Sequence, residues 1–275
     1  MANRWFRLPN LRRLLTAALV SYLLFGVGMY LFQRQFMYFP DGSEALPLNY
    51  DLENFTRVPL ISGDGTAIAV WVHPARTGMK TIVYFHGNAG HLGYRADKFR
   101  AFAEAGFGLV AVSYRGYGGS EGQPTETGLY DDAATALSYA LNTLHIPENN
   151  VILYGESLGT GIATHLATTH PQIALLVLEA PYRSVEARAQ ELYPYLPVHY
   201  LIKDRYPQAA LMAKVKAPVL IFHGTDDVII PIQHGRDVYA ATQAPKHLVV
   251  FEGKGHTNFD AEALIAEIKK LLTHE

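Results

Sequence analysis

Val151-Ile152-Leu153-Tyr154-Gly155-Glu156-Ser157-Leu158-Gly159 is the stretch whose reading decides the fold. Val151–Tyr154 is a short apolar run of strand length, and Leu158–Thr169 behind it reads as a helix. A serine set between strand and helix with no spacer forces a sharp turn, which exposes its Oγ. That is the local geometry a nucleophilic serine needs. A second match, Gly118-Gly119-Ser120-Glu121-Gly122, lacks it. Ser120 stands several residues beyond its strand and is followed by Gln123-Pro124, so it reads as a loop residue.

The pattern around the elbow repeats along the chain. Apolar strands are expected at Thr81–Phe85, Leu109–Tyr114, Val151–Tyr154, Ala174–Leu178, Pro218–Phe222 and His247–Phe251. Helical patterns lie between them near Tyr94–Ala105, Glu126–Leu144, Leu158–Thr169, Ile232–Thr242 and Asp260–Leu272. A hairpin, Phe55–Ile61 and Ala67–His73, precedes the series through Gly63-Asp64-Gly65. Continuous apolar strands alternating with helices predict an α/β domain over 55–275, a mostly parallel sheet covered on both faces. The rhythm breaks once, between Pro181 and Ala217, in a stretch rich in Tyr and Pro. A segment at about 182–216 that long suggests a short cap over a site, against the plainer reading of a structural excursion with core-facing aromatics.

Leu14 to Phe32 carries no charge, and as a helix it spans roughly 28 Å, about a bilayer's hydrocarbon thickness. Arg4, Arg7, Arg12 and Arg13 precede it and Arg34 follows. The positive-inside tendency then predicts a single-pass anchor over 1–33 that contacts lipid through 14–32. The N-terminus is cytoplasmic and the remainder lies on the other side. Residues 34–54, with Pro40, Gly42 and Pro47, read as a linker. Two alternatives stand: a signal peptide cut near Gly26-Val27-Gly28, giving a secreted chain, and a buried core helix. Met29-Tyr30-Leu31-Phe32 prolongs the apolar run past the cut, and an all-round apolar face suits a core helix of this kind poorly.

Composition removes several classes. With 49% apolar and 17% charged residues and a net charge of −2, nothing argues for a nucleic-acid partner. The absence of cysteine excludes disulfides, a cysteine nucleophile and thiolate metal sites. The histidines show no ligand spacing, so no metal is expected. Tyr114-Arg115-Gly116-Tyr117-Gly118 lacks the Walker lysine and reads as a tight loop beside the elbow; no cofactor is expected.

The partners of Ser157 follow from chain order, Ser then acid then His. His223-Gly224-Thr225-Asp226-Asp227 follows a strand and puts a carboxylate at the sheet edge where α/β folds bind ligands, with Asp227 preferred and Asp226 the alternative. His256, in Gly253-Lys254-Gly255-His256 after the last strand, is the expected general base. Two backbone N–H groups should receive an oxyanion. One belongs to Leu158 at the helix start. The other belongs to Asn88, or alternatively Ala89, in His86-Gly87-Asn88-Ala89-Gly90. His86 lies before Ser157 in the chain and is expected to brace its loop.

Taken together, His86–Gly90, Tyr114–Gly118, Gly155–Gly159, His223–Asp227 and Gly255-His256 resemble the Bem46-like α/β hydrolases, from about Gln33 to the C-terminus. That family includes mammalian palmitoyl-thioesterases and bacterial proteins described as serine aminopeptidase-like or lysophospholipase-like, often with an N-terminal membrane segment. The resemblance implies the α/β-hydrolase fold and places the acid four residues before Pro231, at Asp227. It implies a serine hydrolase acting on acyl esters or thioesters. A peptidase or amidase with the same triad is the second reading, and a tethered, non-catalytic binding protein the third.

Overall fold

The computed structural model describes residues 9–273. Arg4 and Arg7, half of the basic cluster that sets the expected orientation, lie outside the described residues. The chain enters through α1 (Pro9–Met37), and its segment Leu11–Met37 is long and apolar enough to cross a membrane. None of that segment's most apolar window is buried against the protein, so α1 is not a core helix.

The expected boundary at residue 33, with a linker over 34–54, is corrected. α1 continues to Met37 because its polar residues there find partners on the domain: Gln33 Nε2 donates to Leu201 O (3.0 Å) and Arg34 pairs with Asp204 (2.7 Å). Beyond it the backbone stays on the domain. Tyr38, Ala45 and Leu52 are buried, β1 (Phe39–Pro40) pairs with a segment near residue 89, and a 3-10 turn forms at Pro47–Tyr50.

The hairpin follows as β2 (Thr56–Ile61) and β3 (Ala67–His73), then β4 (Thr81–Phe85) and the two-residue β5 (Ala89–Gly90) that receives β1. After α2 (Ala96–Glu104) come β6 (Gly108–Ser113), α3 (Glu126–Ser138), β7 (Val151–Glu156), α4 (Leu158–Ala167) and β8 (Leu175–Glu179). The interruption holds three short helices: α5 (Val185–Leu192), α6 (Val198–Leu201) and α7 (Gln208–Met212). The last units are β9 (Val219–Gly224), α8 (Ile232–Ala241), β10 (Lys246–Phe251) and α9 (Ala261–Leu272). The helix expected over Glu126–Leu144 ends as one π turn at Tyr139–Thr143.

Eight strands form one sheet in the order β10-β9-β8-β7-β4-β6-β3-β2, parallel except where β3 meets β2 and β6. Alternate side chains feed two cores. Val83, Phe85 and Leu153 face α3, α4 and α8, whereas Ile82, Tyr84 and Ile152 face α2 and α9. Burial on both faces is why these strands read as unbroken apolar runs. The order turns at β4, whose next strand β6 lies on one side and β7 on the other. The crevice at such a reversal, at the strands' C-terminal ends, is where a ligand site is expected, and Ser157 stands there.

Candidate active site

Ser157 occupies the junction of β7 and α4 with φ 51° and ψ −116°, a conformation that costs a non-glycine residue of order 1–3 kcal/mol. The neighbours leave it no alternative. A Cβ on Gly155 would lie 2.5 Å from the Gly159 carbonyl oxygen, and one on Gly159 would lie 2.0 Å from that of Phe85 on β4. The two glycines therefore let α4 start directly against the strands, and the turn between them is held tight. Ser157 N–H donates to Glu179 O at 2.8 Å, tying the elbow to β8. Ser120, in contrast, pins a loop: its Oγ donates to Ser113 O (2.9 Å) and accepts from Ala69 N–H (3.1 Å).

Two loops at the far end of the sheet supply the other candidates. The loop after β9 and the loop after β10 are stitched by Asp226 N–H to Lys254 O (2.9 Å) and Gly253 N–H to Thr225 Oγ1 (2.8 Å). Asp227 and His256 are thereby brought together across 29 positions: His256 Nδ1 is 2.7 Å from Asp227 Oδ2, and His256 Nε2 is 2.7 Å from Ser157 Oγ. A carboxylate only accepts, so Nδ1 carries the proton toward Asp227 and Nε2 is left to accept from Ser157 Oγ–H. Asp226 is exposed and its carboxylate accepts from its neighbour Thr225 rather than from His256, so the two aspartates are separated by geometry. Burial alone would raise the Asp227 carboxyl. The hydrogen bonds from His256 and from Ile230 N–H more than offset it and hold the group below the ordinary carboxylate range.

The loop after β4 faces the elbow. His86 is fully buried, and its Nδ1–H donates to Gly87 O at 2.7 Å. A trans peptide points its C=O and N–H in opposite directions, so turning Gly87 O onto the buried ring turns Asn88 N–H away from it. Asn88 O accepts Phe39 N–H (2.9 Å) and Tyr117 O–H (2.8 Å), and its side chain donates to Met37 O (2.7 Å). Asn88, Ser157 and Leu158 line one cavity. Burial, with Arg95 nearby, pushes the His86 pKa down to about 3, which keeps it neutral.

Against known families, residues 78–211 match the model described as serine aminopeptidase, S33. The uncharacterized protein Rv2307c of Mycobacterium tuberculosis is 32% identical over 273 residues, covering 97% of each chain. The protein bem46 of Schizosaccharomyces pombe is 30% identical over 217 residues, covering 74% of this chain and 72% of its own. The chain belongs to the Bem46-like α/β hydrolases. Among solved structures, the Pyrococcus furiosus esterase Pf2001 superposes with a TM-score of 0.68 at 16% identity, covering 86% of this chain and 97% of that one. This likeness shows the shared fold.

In this Bem46-like hydrolase, two features around the elbow have no signature in the sequence. The first is a buried ion cluster beneath Ser157. Arg95 donates to Glu156 Oε1 (2.8 Å) and to Ala89 O (2.8 Å), so one guanidinium ties the β4 loop to the elbow. Lys98 reaches from α2 to Glu156 (3.2 Å) and Glu179 (2.7 Å), with Tyr84 and Tyr154 hydroxyls on the same carboxylates. Burial would raise the Glu156 carboxyl, but Lys98 and Arg95 reverse this and hold it low. Burial raises Glu179, with Glu156 nearby adding to the effect against Lys98.

The second is the cavity itself, about 260 Å³, which begins at Ser157 and is mostly apolar. The interruption after β8 supplies Tyr182, Val185, Leu192 and Leu196, and α1 supplies Met29, Phe36 and Met37. That the N-terminal apolar helix lines a site was not expected from the sequence. The only hint was Gln33, a polar residue four positions from both Met29 and Met37 on one helical face.

Proposed function

We propose that this chain is a membrane-anchored serine hydrolase that cleaves carboxylic esters or thioesters through an acyl-Ser157 intermediate. The observation that carries the reading is the continuous relay from Ser157 Oγ to His256 to Asp227, at 2.7 Å and 2.7 Å, opening into an apolar cavity. Ser157 Oγ attacks the acyl carbon as its proton passes to His256 Nε2. Asp227 stabilises the resulting imidazolium. The oxyanion is received by the N–H groups of Leu158, the first residue of α4, and Asn88, and the dipole of α4 adds to them. Collapse breaks the bond to the alcohol or thiol, which leaves with the proton from His256. Water then attacks the acyl-serine, giving its proton to His256, which returns it to Ser157 Oγ as the carboxylic acid departs. No cofactor or metal enters these steps. The stretch 182–216 serves as the cap over the site, and α1 anchors the domain with the N-terminus in the cytoplasm.

The apolar lining favours acyl esters and thioesters over aminoacyl amides, whose charged amine would find little to pair with there. Labelling with a fluorophosphonate tests the reading. The folded wild type should be labelled and Ser157→Ala should not. An unlabelled wild type with native circular dichroism would end the enzyme reading.

A further inference from the structure

We infer that α1 is a wall of the acyl site, so that the substrate is an ester or thioester of a bilayer lipid whose acyl chain enters alongside the helix. This rests on the serine-hydrolase reading above and names its substrate class.

Met29, Gln33 and Met37 follow at four-residue spacing and share one face of α1, and all three line the cavity. Met37 O holds the side chain of Asn88, which fixes the Met37 end at the catalytic loop. Met29 lies eight residues earlier, roughly 12 Å along the helix, within the apolar run Leu14–Phe32. The cavity thus extends from Ser157 along α1 toward the segment that lies in hydrocarbon.

The helix is fastened to the cap by specific polar bonds. Gln33 donates to Leu201 O (3.0 Å) and accepts from Lys203 N–H (2.7 Å). Arg34 makes two bonds to the buried Asp204, at 2.7 and 3.0 Å. The polar atoms of Gln33 are consumed by the cap backbone, so the cavity faces Met29 and Met37, whose flexible thioethers adapt to a chain. Higher on the helix, Tyr22 O–H donates to Tyr195 O (2.8 Å), and the rings of Phe25 and Tyr195 lie 6.1 Å apart. Tyr22 is a further seven residues, roughly 10 Å, toward the helix start. The cap tip therefore accompanies α1 to the depth of its apolar run, and it leaves Leu192 and Tyr195 more than half exposed there. A water-borne substrate has no use for either feature. An acyl chain moving sideways from lipid into the site needs both.

Full-length protein in phospholipid vesicles would be assayed with p-nitrophenyl butyrate and p-nitrophenyl palmitate, comparing wild type, Met29→Trp and Leu31→Trp. Met29→Trp fills the lipid-side end of the cavity; Leu31 is 60% exposed and does not line it. The palmitate-to-butyrate ratio of kcat/KM should fall by about tenfold or more in Met29→Trp and stay unchanged in Leu31→Trp. A ratio unmoved in Met29→Trp, or moved equally in Leu31→Trp, overturns the inference. A second arm needs no turnover: a photoactivatable palmitic acid in the vesicles should label cap residues 185–202 of Ser157→Ala, and adding Met29→Trp should reduce this severalfold. Labelling that responds in this way without any ester hydrolysis would sink the hydrolase reading and keep the acyl site. Hydrolysis without such labelling would do the reverse.

Discussion

His86 shows at the scale of one residue how burial is put to use. Its Nδ1–H fixes the Gly87 carbonyl, and through the trans peptide it sets where Asn88 N–H points. Protonation would leave this bond in place but put a buried charge on a ring whose Nε2 has no partner, and burial keeps the ring neutral by lowering the pKa to about 3. In the unfolded chain the same group titrates near 6.5, so on acidification the unfolded state takes up the proton first. The stability His86 contributes is complete above about pH 6.5 and is lost progressively as pH falls toward about 3, to a limit of about 5 kcal/mol. His86→Gln, which cannot take up that proton, should therefore lose stability less steeply over that window than wild type. Urea midpoints measured at several pH values check this. Parallel slopes for the two proteins would mean that His86 is not held neutral by the fold.

At the scale of elements, the junction of β4, β7 and α4 leaves no room for a side chain at Gly155 or Gly159. Gly159 is helical, and alanine there should gain about 1 kcal/mol from helix propensity. The added Cβ would sit 2.0 Å from Phe85 O, and backbone on both sides cannot yield cheaply. Overpacking typically costs about 1–3 kcal/mol, and a clash this deep lies at or beyond the upper end, so it wins. Gly159→Ala should be destabilised by about 2 kcal/mol or more, read as a fall of several degrees in Tm. It should also lose fluorophosphonate labelling, because α4 must move and carry Ser157 with it. A variant with wild-type Tm and labelling would contradict the close approach.

The same junction explains what could be read from the chain. β4, β7 and β9 are buried on both faces, so their apolar runs are continuous, and Ser157, Asp227 and His256 each follow a strand end in order. Local pattern suffices for such features. The end of α1 is different, because Gln33 and Arg34 look like a polar stop. Their partners Leu201 and Asp204 lie 168 and 170 residues away, and no local rule finds them. The ion cluster of Arg95, Lys98, Glu156 and Glu179 is equally non-local. Within Leu14–Phe32 every face is apolar, so periodicity cannot single out Met29 as a cavity residue.

At the scale of the whole molecule, the proposed anchor implies an orientation that its basic residues argue and a thiol probe can test. Arg12 and Arg13 stand before the apolar run, with Arg4 and Arg7 ahead of them, and after it comes Arg34. Arg34 is bound at both ends of its guanidinium fork by Asp204, so it belongs to the folded domain and cannot act as a free cytoplasmic anchor. On the proposed topology the balance of basic residues therefore favours an N-terminus in the cytoplasm and the domain on the other side. The chain contains no cysteine, so a single introduced thiol reports without background. Asp97 suits this purpose: its side chain is 98% exposed on α2, and its ion pair with Arg100 spans one surface turn whose loss costs little. A membrane-impermeant maleimide should label Asp97→Cys in intact spheroplasts, with the labelled protein full-length and retained in carbonate-washed membranes. Labelling only after lysis would put the catalytic domain in the cytoplasm. A labelled chain that begins near Met29 and washes free would mean that α1 is cleaved, and the wall it gives to the cavity would go with it.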